Sequence, residues 1–81
     1  MSKPYKGRIT DWKIYRNDFW LKGYFCIVGK FEDHPEFRGR RGHTSIVTNM
    51  AMCPDSKEPT YHVETMNSQY LLIGAPSQVG R

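Results

Sequence analysis

With 81 residues, 38% hydrophobic and 14% aromatic, the chain is the size of one domain and too rich in rings to be disordered. A chain this short buries roughly 60% of the surface its unfolded form exposes, which leaves little volume for both a core and a deep catalytic cleft. The formal net charge of +4 suits an anionic partner and has the wrong sign for a mimic of DNA.

Residues 1–6 read as a loose, basic lead-in, residues 7–74 as one β domain, and residues 75–81 as a frayed tail. No apolar core of a secretion signal follows Met1, and the longest apolar run is far below the roughly 20 residues of a membrane span. The expectation is a cytoplasmic protein that contacts no membrane. The two cysteines, Cys26 and Cys53, then read as reduced thiols, with a disulfide between them left open.

Residues 7–16 form the first predicted strand, with Trp12 and Ile14 near the core and an imperfect alternation. Asn17-Asp18 marks a turn, and Phe19-Trp20 enters the most apolar stretch, residues 20–31. There Leu21, Phe25, Ile27 and Phe31 share one parity, and Trp20, Tyr24, Cys26 and Val28 share the other. Two apolar faces predict a strand in the middle of a sheet or in a small curled barrel, with Gly23 and Gly29 as points where it can bend.

Residues 32–42 read as one long loop broken by Pro35, Gly39 and Gly42, acidic at its start and basic at its end. Residues 43–52 are a third predicted strand, and residues 53–60, with Pro54 and Pro59, a turn. The fourth strand, 61–66, sets Tyr61, Val63 and Thr65 opposite His62, Glu64 and Met66. Asn67-Ser68 turns the chain into a last strand, 69–74. No stretch keeps a helical period over three turns. The predicted fold is mostly β: a small antiparallel five-stranded barrel or curled sheet, SH3-like.

No motif points to catalysis. Gly23 to Lys30 superficially resembles a phosphate-binding loop, but five residues separate Gly23 from Gly29, and Phe31 stands where Ser or Thr is needed. His34, His43 and His62 have no second ligand at metal-binding spacing and read as surface or strand-end histidines, so neither a metal nor a cofactor is expected. Cys26 lies in the most buried-looking strand, where a thiol is inert.

The strongest local chemistry is Arg38-Gly-Arg-Arg-Gly42, a cationic tip whose forked guanidiniums suit carboxylates and phosphates. Phe37 and His43 flank it, and Phe37 beside arginine has the character of a binding hot spot. The competing reading is a solvated loop whose arginines pair with Glu32, Asp33 and Glu36. A second, polar group comprises Thr44, Ser45, Asn67 and Ser68. These are capping and turn residues first, or a polar rim if the two strand ends meet.

His43-Thr-Ser45, followed by Glu64-Thr-Met-Asn-Ser-Gln-Tyr-Leu-Leu72, resembles small accessory proteins of tailed bacteriophages and prophages. The Gly-Arg-Ile sequence at residues 7–9 and a strand reaching Gly29 are similar too, and the likeness covers about half the chain. The resemblance implies a protein made in the host cytoplasm that acts by sticking to a host enzyme or defence component, and it implies no reaction. The expected function is therefore non-catalytic binding to a host protein with an acidic surface, through Phe37, Arg38, Arg40, Arg41 and His43. A nucleic-acid-binding barrel using the same arginines is the alternative, and self-association into a homodimer stays open.

Overall fold

The computed structural model describes residues 3–16 and 22–76. Six strands account for its regular structure: β1 (Tyr5–Arg16), β2 (Phe25–Phe31), β3 (Arg40–His43), β4 (Val47–Met52), β5 (Thr60–Thr65) and β6 (Gln69–Ile73). Among the described residues there is no helix. The strands form one sheet in the order β3-β2-β1-β6-β5-β4.

The sheet consists of two antiparallel meanders, β1-β2-β3 and β4-β5-β6, joined where β1 runs parallel to β6. It is thus mixed rather than purely antiparallel, and has six strands where five were expected. It curls until β2 and β4 approach each other, but β3 and β4 remain unpaired edges, so no barrel closes among the described residues. The parallel seam also draws in the start of the chain. The Gln69 amide donates to the Pro4 carbonyl at 2.8 Å, and Lys3 Nζ to the Thr65 carbonyl at 2.6 Å. Residues 3–6 are therefore tied to the sheet rather than loose.

One apolar cluster fills the concave side: Ile9, Trp12, Ile27, Phe31, Val47, Val63, Tyr70 and Leu72. In β5 and β6 simple alternation puts Val63, Thr65, Tyr70 and Leu72 inside. Two bulges break that rule elsewhere. Between Thr10 and Lys13 the register of β1 against β2 slips by one residue, so that Ile9 and Trp12 both face inward. Asp11 makes the slip with a φ of 49°, a conformation that Asp tolerates better than most residues. Trp12 then lies against Gly29, where an added Cβ would fall 2.7 Å from Ile9 Cγ2 and 3.0 Å from the Trp12 Cα. Gly29 is there to admit these neighbours rather than to bend the strand. The Trp12 indole N–H donates to the Gly74 carbonyl at 3.0 Å, and its ring meets Tyr61 edge-on. The second bulge, between Val47 and Asn49, puts Val47 and Met50 on the same side, which strict alternation had separated.

Three sequence expectations change. The apolar strand begins at Phe25, after a turn through Lys22 and Gly23, and Tyr24 is exposed. Trp20, Leu21 and the Asn17-Asp18 turn lie outside the described residues, as do residues 77–81 of the expected tail. The expected loop 32–42 ends in a strand, β3. The expected strand 43–52 is two strands serving opposite edges of the sheet, broken at 44–46. Thr44 causes the break. Its amide donates to the Ile27 carbonyl at 2.9 Å, its Oγ1 accepts the Ile27 amide at 3.1 Å, and the hydroxyl donates to the Ser45 carbonyl at 2.7 Å. This completes the ladder with β2, and the chain then crosses to pair with β5.

Candidate functional site

The candidate binding residues gather on β3 and on the turn before it. That turn is held from inside by His34, which is buried rather than at the surface. His34 Nδ1 accepts the amides of Glu36 at 2.9 Å and Phe37 at 3.3 Å. Amide donors require a lone pair, so the ring is neutral with its proton on Nε2. Burial pushes its pKa down, and Lys6 adds to the effect. The ring packs against Phe31, Phe37 and Tyr70. Phe37 is thereby fixed in position with 47% of its surface still exposed.

The acidic start of the loop does not neutralise its basic end. Arg8 grips Asp33 with Nε at 2.7 Å and Nη2 at 3.0 Å, and this guanidinium holds the Asp33 carboxyl below its usual pKa. Glu32 accepts the hydroxyl of Thr10. Arg41 reaches instead across to Asp11, the bulge residue of β1, at 2.8 Å. Arg38 and Arg40 are exposed, and their guanidiniums make no hydrogen bond or ion pair among the described residues. The loop arginines therefore form no direct ion pair with Glu32, Asp33 or Glu36 among the described residues, although the charge of Arg38 helps to hold the Asp33 pKa down.

All four residues of β3 are exposed. A hollow of about 340 Å3 lies against the strand, lined by Phe31, Phe37, Arg40, Arg41, Gly42 and His43. A second, more apolar hollow of about 610 Å3 opens on the convex side, with Tyr15, Cys26, Val28, His43, Ile46 and Met66 among its lining. His43 belongs to both, and its Nδ1 donates to the Thr44 carbonyl at 3.0 Å. Cys26 lies in the floor of the larger hollow at 5% exposure, and burial pushes its thiol pKa up, away from the reactive thiolate. Neither cysteine is bridged. Among the described residues no cluster of three His, Cys, Asp or Glu side chains is placed to hold a metal ion, and no helix is long and apolar enough to cross a membrane.

The polar group is brought together in part. The Met66 amide donates to the Ile46 carbonyl at 3.0 Å, so the 44–46 link and the 66–68 turn do meet. Thr44 and Ser68 are buried, however, while Ser45 is half-buried and Asn67 exposed. Thr65 Oγ1 accepts the amides of Asn67 and Ser68 at 3.3 and 3.1 Å, which makes this a turn held by its own hydroxyl. Two features were missed in the sequence. One is His34, whose signal was a His-Pro pair placed two residues before the amide it caps. The other is β3 itself, which carries no apolar alternation to reveal it. Comparison with known proteins supplies no relative: no protein-family model, no curated protein and no solved structure matches the chain.

Proposed function

We propose that the chain is a small accessory protein that acts by binding, without catalysis, to a protein partner with an acidic surface. Its contact surface is Phe37, Arg38, Arg40, Arg41 and His43. The observation that carries this reading is the division of labour among the charges. Asp33 and Glu32 are engaged by Arg8 and Thr10, which leaves the guanidiniums of Arg38 and Arg40 exposed and without a direct ion pair among the described residues, beside an exposed, immobilised aromatic ring. A fixed ring beside free guanidiniums is the composition of a binding hot spot, and the net positive charge would steer acidic partners toward it. The likeness of residues 43–45 and 64–72 to phage accessory proteins supports a bacterial host factor or defence component as the partner, met in the host cytoplasm.

Nucleic acid is the second reading, because free arginines also suit phosphate. It is less well supported, because a net charge of +4 is modest for gripping a phosphate backbone, although Tyr15, Tyr24 and Phe37 are exposed enough to stack on bases. Affinity chromatography on bacterial host extract and on heparin separates the two. A protein retained by the wild type and lost with the triple variant Arg38→Ala, Arg40→Ala, Arg41→Ala supports the first reading. Retention on heparin that falls steeply with salt supports the second. A partner held equally by the triple variant overturns both.

A further inference from the structure

The two free edges of the sheet are finished differently. In β4 the Cys53 amide bonds to the Thr60 carbonyl, so Cys53 and Thr60 form a hydrogen-bonded pair. Alternation along an antiparallel ladder then turns the backbone groups of Met50 and Met52 outward. This edge is blunted: the bulge at 47–49 distorts it, and Asn49 Oδ1 takes the outward Met50 amide at 3.0 Å. In β3 the bond from the Thr44 amide to the Ile27 carbonyl sets the alternation. Gly42 faces Gly29, and the amides and carbonyls of Arg41 and His43 point away from β2. Among the described residues no strand pairs with this edge, and neither amide has an acceptor.

We propose that the free edge of β3 receives an extended segment of the partner protein as a seventh strand, and that this segment alternates acidic with apolar residues. The proposal rests on the binding role argued above and specifies its geometry. Main-chain bonds to Arg41 and His43 supply the attachment. On the convex side stand Arg41, whose guanidinium is already turned to Asp11, and, paired across from it on β2, the exposed Lys30, which makes no ion pair among the described residues and calls for a carboxylate. On the other side, Gly42 has no side chain, and the hollow beside it is floored by Phe31 and Phe37 with the exposed Arg40 at its rim, which calls for an apolar residue opposite Gly42. A second copy of this chain does not fit, because Arg40-Arg41-Gly42-His43 offers the edge neither a carboxylate nor an apolar side chain.

The test uses the full chain and a capped heptapeptide of alternating glutamate and valine, at low salt. Binding is read by fluorescence polarisation and by hydrogen exchange at the Arg41 and His43 amides. N-methylation of one alternate set of peptide residues is expected to weaken binding at least tenfold, and of the other set less than twofold. Both amides slow in exchange when the peptide binds. His43→Pro removes an outward donor while keeping every arginine, and is expected to weaken binding at least tenfold. The N-methyl comparison decides the matter even if that variant misfolds. Any of these results overturns the proposal: no peptide binding, equal effects of the two N-methyl sets, displacement of the peptide by an oligonucleotide at that edge, or concentration-dependent protection of the two amides in the protein alone. Equal N-methyl effects with binding still lost in the triple arginine variant discard the added strand and leave the basic-surface reading intact. Unchanged peptide binding by the triple variant removes both.

Discussion

His34 holds Phe37 twice over: its Nδ1 accepts the Phe37 amide at 3.3 Å, and the two rings lie 4.6 Å apart. The exposed ring of the candidate site is thus positioned by a buried histidine that must stay neutral. Protonating Nδ1 would remove the acceptor that gathers the Glu36 and Phe37 amides. Because the folded pKa lies below the unfolded value of about 6.5, the unfolded chain binds more protons in this range. The stabilisation is present above about pH 6.5 and is lost as pH falls through the folded value. The melting temperature should therefore drop on acidification in this window. His34→Asn, which keeps an acceptor oxygen and cannot titrate, should show a shallower drop in the same series of thermal melts. Parallel curves for the two proteins would refute the role given to His34.

Gly29→Ala tests the bulge of β1. The new methyl would stand 2.7 Å from Ile9 Cγ2, 2.9 Å from the Thr10 carbonyl oxygen and 3.0 Å from the Trp12 Cα. Two of these neighbours are backbone and cannot yield cheaply. Overpacking of this kind costs about 1–3 kcal/mol. The urea midpoint should fall with little change in slope. An unchanged midpoint would mean that β1 and β2 are less closely apposed than described.

The two thiols should be distinguishable by a disulfide reagent. Cys53 is half-buried at the end of β4, whereas Cys26 is buried with a raised pKa. Native protein should react quickly at Cys53 and slowly at Cys26, and denaturant should equalise them. Peptide mapping of the labelled product reads the order directly, and fast labelling of Cys26 would contradict it.

Asn49→Ala frees the outward Met50 amide on a strand that carries no charge. Unprotected edges of this kind recruit other strands. The variant should self-associate at concentrations where the parent does not, as read by light scattering or sedimentation. Identical behaviour would show that the bulge alone suffices to guard the edge.

The all-strand character was legible because residues 60–73 alternate plainly, with Val63, Tyr70 and Leu72 inside. Alternation failed where a bulge intervened, at Asp11 and near Thr48, since a bulge reverses parity without any mark in composition. β3 was hidden because Arg-Arg-Gly-His is exposed on both faces and so offers no pattern of burial to read. The parallel meeting of β1 with β6 depends on contacts between distant parts of the chain, which no local window samples. Of the candidate site, the arginines were visible as a cluster. The pairing of Arg41 with Asp11 was not, because it requires knowing that β1 bulges next to β3's neighbour.

The seam between β1 and β6 also orders events on the ribosome. β1 is synthesised with one future neighbour soon to follow and the other absent until translation has passed residue 73. The hairpin contacts of either meander are local and quick to form, whereas the seam is not. Trp12, the largest fully buried side chain among the described residues, waits for the same moment, because the carbonyl that receives its indole proton belongs to Gly74. A nascent chain stalled before β6 would carry that ring half-wrapped, exposed to chaperones and proteases until the final codons of the domain arrive.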